Sequence, residues 1–161
     1  MTTTGIVIVG AGQSAAMAAL ALRDGGYEGR ILMLGREPYT PYERPPLSKA
    51  LLVADSEPRL DVLDEQAWTR CAVELVTGAE AIRLDPAQRQ VQLADGTVIT
   101  YDRCLLATGG EARTLACAPA GAPGIHYLRT LDDARRLKQA LRRRPQVAVL
   151  GGGFLGLEIA H

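Results

Sequence analysis

The sequence lacks an excess of either charge, a long hydrophobic run and a basic N-terminal stretch. Its 18 basic and 18 acidic residues balance, whereas binding to nucleic acid or to an anionic membrane surface favours a basic excess. Its apolar runs are interrupted by Gly and Arg, so none is predicted to span a bilayer. The opening MTTTGIVIVG does not match a secretory signal. We therefore predict no nucleic-acid partner and no association with a membrane.

Cysteines are also scarce, and Cys71, Cys104 and Cys117 are widely spaced. Because there is no C-x-x-C pair, neither structural zinc nor a thioredoxin-like dithiol is expected, and we predict no metal site. The three cysteines are predicted to be free, buried thiols of a cytoplasmic protein. Apolar residues, by contrast, make up 47% of the chain, which is enough for a folded domain with its own core.

The predicted secondary structure begins with a β-α-β unit. A β-branched apolar run over 5–10 predicts a buried parallel strand, residues 14–26 predict a buried helix that ends at two glycines, and 30–35 predict the next strand. Prolines are then expected to prevent regular structure over 38–47, and a short helix is expected to start at Ser48.

The middle of the chain follows a different pattern. Residues 79–107 alternate partly at period two and contain the turn signals Asp-Pro and Asp-Gly, which predicts an antiparallel β-meander returning to a buried strand. The other predicted elements are a helix over 64–72, a strand over 73–78, a loop over 116–124, a helix over 131–144 and a strand over 146–150.

A glycine-rich turn follows the first predicted strand. Its sequence, residues 10–15, is G-x-G-x-x-A: Gly10 permits the tight turn, Gly12 lets a pyrophosphate approach the backbone, and Ala15 lets the helix pack near the strand. N–H groups at the start of the helix then face the phosphates. Glu37, just after the second strand, is a candidate ligand for ribose hydroxyls, and a solvated loop glutamate is the alternative.

A second turn, G-x-G-x-x-G with Gly151, Gly153 and Gly156, follows the last predicted strand. Two such turns in one chain are typical of flavoproteins that take hydride from NAD(P)H, with FAD on the first fold and the nicotinamide dinucleotide on the second. We therefore predict an α/β fold: a Rossmann-like FAD-binding unit with an inserted antiparallel meander, then the start of a second Rossmann unit. The predicted divisions are an FAD-binding part over 1–115, a connecting loop and helix over 116–144, and the start of an NAD(P)H-binding domain over 145–161.

Four segments, PYERPPLSKALL, CLLATGGEAR, HYLRTLDDA and VAVLGGGFLGLEIA, resemble in order and spacing the NAD(P)H-dependent ferredoxin reductases of bacterial oxygenase systems. That family includes putidaredoxin reductase, rhodocoxin reductase and the reductases of aromatic-ring dioxygenases. The resemblance covers the whole chain but only the first two-fifths or so of the family. It implies an oxidoreductase that passes electrons from NAD(P)H through FAD to a 2Fe-2S ferredoxin.

The same resemblance implies roles for individual residues. Lys49 would lie by N5 of the isoalloxazine ring, where an ammonium favours developing negative charge, and Glu158 would pair with Lys49 and orient it beside the nicotinamide site. The residues with implied FAD contacts are Gly10, Gly12, Ser14, Arg44, Pro45, Pro46, Ala81, Thr108, Gly109 and Arg129.

Two departures matter. Family members commonly carry an acid where this chain has Arg36, and a guanidinium cannot accept bonds from ribose hydroxyls. No cysteine occurs before Cys71, unlike the thiol-dependent reductases of the wider superfamily, so electrons are expected to leave the flavin directly and singly.

A chain that ends at His161 within the second unit is expected to be a fragment that binds FAD weakly or not at all and does not turn over NADH. The strand predicted over 146–150 would lack its neighbours, so residues after Pro145 are expected to be exposed, rearranged or paired with another chain. Alternatives within the same fold are a non-catalytic nucleotide-binding or interaction module, an apoptosis-inducing-factor-like flavoprotein, and relatives of NADH oxidase or nitrite reductase.

Overall fold

A computed structural model describes residues 5–143 and 145–161 of the chain, and these form two compact units. The first unit comprises the described residues up to Tyr42 together with Asp61–Gly109. The second comprises Glu43–Leu60 and the described part of Gly110–His161. No helix within these ranges is both long and apolar enough to cross a membrane.

The regular elements are short, as the frequent Gly and Pro predict. They are, in chain order, β1 Ile6–Val9, α1 Gln13–Asp24, β2 Ile31–Gly35, a 3₁₀ helix Pro45–Ser48 (the proline turn), α2 Ala50–Val53, α3 Glu65–Cys71, β3 Glu74–Thr77, β4 Ala81–Asp85, β5 Gln90–Leu93, β6 Val98–Thr100, β7 Arg103–Leu106, α4 Leu131–Leu141 and α5 Phe154–Ala160.

The first unit is built on a parallel sheet of order β3-β2-β1-β7. One face of this sheet packs against α1 and α3 through a cluster that includes Ile8 and Met33. The other face packs against the antiparallel sheet β4-β5-β6 through a cluster that includes Val7 and Val91. Because β1 is covered on both faces, every position favours an apolar residue, which explains the unbroken run IVIV. The predicted α/β class, with its parallel β-α-β unit and inserted meander, is confirmed.

The second unit is organised by α4, which packs against α2 and the proline turn. The helix begins with a capping box: the Asp133 N–H donates to the Thr130 side chain, and the Thr130 N–H donates to the Asp133 carboxylate. Leu131, Ala134 and Leu137 are buried at the three-residue spacing that places them on one face. These features confirm the helix predicted here, which ends at Leu141; position 144 of the predicted range lies outside the described residues.

Two predictions about the proline-rich segment are wrong. Pro45 and Pro46 lie within the proline turn, not in irregular chain. Proline suits the first positions of a helix because its φ is already helical and no N–H is needed there. The next helix, α2, consequently starts at Ala50 and not at Ser48.

The strand predicted over 146–150 is also wrong, since none of the described strands pairs with it. A strand is stabilised by hydrogen bonds to a neighbour, and here Val147 and Leu150 are 53% and 72% exposed. The exposure of this segment is one of the outcomes expected for residues after Pro145, and its pairing with another chain stays a prediction. Of the three cysteines, all free, Cys71 is buried and Cys104 is partly buried, but Cys117 is exposed in a loop, contrary to expectation.

Candidate functional site

The first glycine turn joins β1 to α1 at the carboxyl edge of the parallel sheet. Gly10 has a φ of +114°, and a Cβ there would lie 2.1 Å from the carbonyl oxygen of Ala107, so a side chain does not fit. The Gly10 N–H donates to the carbonyl of Leu34 at 2.8 Å. Ala15 is fully buried, which lets α1 lie close to the sheet. Each position thus has the property that the dinucleotide fingerprint requires.

The start of α1 is uncovered at Gly12. This residue is the N-cap, with extended backbone and no side-chain cap hydrogen bond, and a Cβ on it would meet nothing within 4 Å. The next two residues, Gln13 and Ser14, are exposed. The first-turn N–H groups of a helix have no intrahelical acceptor and carry partial positive charge. The turn therefore fits the pyrophosphate of a dinucleotide.

The end of β2 carries a fixed carboxylate. The hydroxyl of buried Tyr42 donates to Oε2 of Glu37 at 2.5 Å, which orients the acid that sequence analysis selected as a ribose ligand. Arg36, at the position where family members carry an acid, directs Nη1 to within 3.9 Å of Glu80 Oε1. Tyr42 was not selected from the sequence, because nothing in a tyrosine five residues after an acid predicts their contact.

Three further residues with implied FAD contacts, Thr108, Gly109 and Ala81, lie at two places in the first unit. Thr108 and Gly109 follow β7, which pairs in parallel with β1. They therefore share a sheet edge with Gly10, the edge at which open α/β sheets bind ligands. Ala81 begins β4 and lies opposite Leu93 of β5 in the antiparallel sheet.

Two arginines with implied FAD contacts are brought together in the second unit. The guanidinium of Arg44, at the start of the proline turn, donates to the backbone carbonyl of Arg129. The Arg129 side chain in turn donates through Nε to the carbonyl of Gly110 at 2.7 Å, and its N–H donates to Asp133 at 3.1 Å. Backbone carbonyls therefore accept from both guanidinium groups and help to set their positions.

Lys49 and Glu158 form the ion pair that the family resemblance implies. Lys49 follows the proline turn, Glu158 lies in α5, and Nζ is 3.1 Å from Oε1. Ser48 donates from Oγ to the other carboxylate oxygen, Oε2, at 2.6 Å. The hydrogen bonds from Ser48 and then Lys49 lower the pKa of Glu158, and partial burial opposes them. Ser48 was not predicted as a site residue, although it directly precedes Lys49 in the sequence.

The second glycine turn repeats the geometry of the first. Gly151 has a φ of +123°, and Gly153 is an extended N-cap of α5 without a side-chain cap hydrogen bond. A Cβ on Gly156 would lie 2.2 Å from the carbonyl oxygen of Gly151, so the helix approaches the turn closely. These are the properties of the corresponding glycines in a dinucleotide-binding turn.

A parallel β-α-β sheet with a glycine turn at its carboxyl edge, followed by a second turn of the same geometry, defines an α/β protein of the dinucleotide-binding fold class. The family model for pyridine nucleotide-disulphide oxidoreductases matches residues 4–161. The chain belongs to this family.

Curated relatives point to one group within the family. The chain is 41% identical over 156 residues to a rhodocoxin reductase of Rhodococcus erythropolis, and this alignment covers 96% of this chain and 36% of that protein. It is 39% identical to the ferredoxin–NAD(+) reductase component of a p-cumate 2,3-dioxygenase system of Pseudomonas putida, covering 96% of this chain and 39% of that protein. The chain thus spans about two-fifths of the length of these relatives.

Solved structures agree with this assignment. A ferredoxin reductase for the CYP199A2 system from Rhodopseudomonas palustris superposes with a TM-score of 0.89 at 38% identity, covering 98% of this chain and 39% of that chain. The covalent putidaredoxin reductase–putidaredoxin complex superposes with a TM-score of 0.81 at 37% identity, covering 97% and 38%. The resemblance drawn from the four sequence segments is confirmed.

Proposed function

We propose that the chain carries the flavin-binding portion of an NAD(P)H:ferredoxin reductase that serves an oxygenase system. The reductase would oxidise NAD(P)H and pass the electrons one at a time to a 2Fe-2S ferredoxin. Relatives named as a reductase component of a dioxygenase system and as a rhodocoxin reductase support this activity, as does a structural relative solved as a covalent putidaredoxin reductase–putidaredoxin complex. The three free cysteines support a reducing compartment, and we propose the cytoplasm.

Each unit supplies its own set of contacts in this proposal. In the first unit, N–H groups at Gly12 and Ser14 would bind the FAD pyrophosphate, and Glu37, held by Tyr42, would bind ribose hydroxyls. The remaining proposed FAD contacts are Ala81, Thr108 and Gly109 in the first unit and Arg44, Pro46 and Arg129 in the second. We propose the turn over 151–156 as the start of the NAD(P)H site, with 116–144 connecting it to the FAD-binding part over 1–115.

The contact between Lys49 and Glu158 is the observation that carries the proposal. The Lys49 ammonium, 3.1 Å from the Glu158 carboxylate, places a positive charge at this site, and such a charge favours negative charge that develops on a nearby acceptor. When bound, FAD would supply the chemistry that accepts two electrons as a hydride and releases them one at a time. The protein's part is to orient Lys49 through Glu158 and to hold the cofactor through backbone N–H groups.

The cysteines favour direct electron transfer over a thiol relay. No cysteine precedes Cys71 in the sequence, and Cys71 itself is buried in the cluster beneath α1. Burial raises the pKa of the Cys71 thiol, which disfavours the reactive thiolate. A reductase of this kind is expected to deliver electrons straight from the flavin to its partner.

An FAD titration tests the proposal. Visible absorption and flavin fluorescence measure affinity, and amide NMR shifts of the ¹⁵N-labelled chain locate even a weak site. We expect FAD to shift the amide signals of Gly12 and Ser14. The matched Gly12→Ala variant should not show these FAD-induced shifts. FAD that perturbs no amide of the first glycine turn would refute the proposed site.

A further inference from the structure

Ser48 is a buried hydroxyl in an exposed ionic site. It is 6% exposed, and within residues 5–143 and 145–161 no other serine, threonine, amide or charged residue is buried to that degree. A buried hydroxyl without a partner is costly. Its carbonyl partner, Pro45 O, lies 3.5 Å away, at the limit of a hydrogen bond, whereas Glu158 Oε2 lies at 2.6 Å. The serine proton is therefore committed to the carboxylate.

The two oxygens of Glu158 have different partners. Oε2 accepts from Ser48 and Oε1 contacts Lys49 Nζ at 3.1 Å. Because Ser48 and Lys49 are adjacent in the chain, they reach the carboxylate from the same backbone segment. The side chains of Lys49 and Glu158 are 56% and 34% exposed, and an ion pair so exposed holds no fixed geometry by itself. A buried donor on the second oxygen removes the rotation that the carboxylate would otherwise have.

We propose that Ser48 is the positioning residue of this ion pair, holding one oxygen of Glu158 so that the other fixes the direction of the Lys49 ammonium. Ser48 acts on Lys49 through Glu158 and needs no contact with a cofactor. The inference rests on the proposed function, because the direction of the Lys49 charge matters only where a flavin receives electrons. It assigns a role to a residue that the Lys-Glu pair alone does not include.

The reactivity of Lys49 can be measured against a single reference lysine, because Lys49 and Lys138 are the only lysines in the sequence. Competitive amine labelling, read by mass spectrometry on the cofactor-free full chain, gives the reactivity of Lys49 relative to Lys138. Lys138 donates to the carbonyl of Ala54 at 2.6 Å and takes no part in the Glu158 contacts, so it is the internal reference. The variants are Ser48→Ala, Glu158→Gln, the double variant, and Ser56→Ala as a matched control at an exposed serine.

We expect Glu158→Gln to raise the relative labelling of Lys49 by about 1.4- to fivefold, the range for loss of an exposed ion pair. Ser48→Ala should produce at least half of that increase although both charges remain, and should add nothing in the Glu158→Gln background. Carboxyl ¹³C NMR should show the pKa of Glu158 rising in Ser48→Ala, because a hydrogen bond that stabilises the carboxylate is lost. Ser56→Ala should change neither value.

Parental labelling of Lys49 in a folded Ser48→Ala chain would overturn the inference, since a serine that only fills space leaves Lys49 unchanged. If Ser48→Ala does not fold, labelling that is equal in the parent and in Glu158→Gln would overturn it as well, because no carboxylate control of Lys49 would then exist to be positioned. Failure of the proposed function is a separate result, because it appears as the absence of FAD binding in the parent chain and leaves the labelling comparison intact.

Discussion

Replacing Gly10 or Gly12 with alanine should separate folding from cofactor binding, although the two glycines lie two residues apart. At Gly10 the φ of +114° is strained for any other residue, which costs about 1–3 kcal/mol. The new Cβ would also lie 2.1 Å from the carbonyl oxygen of Ala107, and relieving such overpacking costs about 1–3 kcal/mol more. Reduced freedom of the unfolded chain returns about 0.4–1 kcal/mol. The expected net loss of unfolding free energy is about 3 kcal/mol.

Gly12→Ala should leave stability almost unchanged. The φ of −103° and ψ of −170° suit alanine, and the new Cβ meets nothing within 4 Å. The poorer N-cap costs about 0.5–1 kcal/mol, and the stiffer unfolded chain offsets a similar amount. The added methyl nevertheless occupies the space through which a pyrophosphate would reach the N–H groups of α1, so FAD affinity should fall by at least about tenfold, as expected when a close backbone approach is blocked.

Urea unfolding is the assay for both variants. The single tryptophan, Trp68, packs against the cluster that contains β1 and α1, so its fluorescence reports the first unit. With an m-value of about 2 kcal/mol/M, a loss of about 3 kcal/mol lowers the midpoint by about 1.5 M for Gly10→Ala. A Gly10→Ala midpoint equal to that of the parent would refute the steric reasoning. Unchanged FAD affinity in Gly12→Ala would refute the site.

Three further perturbations test features of the two units. The Arg23 guanidinium donates to four backbone carbonyls and so links the end of α1 to the end of α3. Because an ammonium cannot reach all four carbonyls, Arg23→Lys should lower the free energy of unfolding in urea by about 2 kcal/mol. An unchanged urea midpoint would contradict this prediction. Burial raises the pKa of Asp133, but hydrogen bonds from Thr130 outweigh burial, so the pKa is lowered overall. The capping box that Asp133 forms should therefore stabilise the fold by about 1 kcal/mol above the ordinary aspartate pKa. This stabilisation should be lost as the pH falls through the folded-state pKa, and it should be absent at all pH values in Asp133→Ala. Thiol titration should label exposed Cys117 first and buried Cys71 only on unfolding, and early labelling of Cys71 would contradict its burial.

The order and type of most elements could be predicted from the sequence because their causes are local. The run at β1, the glycine turn and the alanine-rich helix α1 each carry their own pattern, and the predicted parallel unit formed. The segment 146–150 has an equally strong strand pattern, yet it forms no strand. Apolar β-branched residues favour the extended backbone, but a strand also requires a neighbour, and no local pattern states whether one is present. The wrong prediction for Pro45 and Pro46 has a similar cause. These prolines start a 3₁₀ helix that packs against α4, and the local sequence does not state that this contact forms.

The residues of the candidate site likewise differ in how far the local sequence could identify them. Gly10 and Gly12 are recognisable because their role is set by backbone geometry within one turn. Lys49 and Glu158 came from a family resemblance, since a single lysine and a single glutamate carry no pattern of their own. Ser48 was found only in the structure: its hydroxyl meets a carboxylate 110 residues away in the sequence, and serine is common enough on protein surfaces that its identity alone predicts nothing. Burial is what distinguishes it, because a buried donor must have a partner, and its partner is the carboxylate that also contacts Lys49.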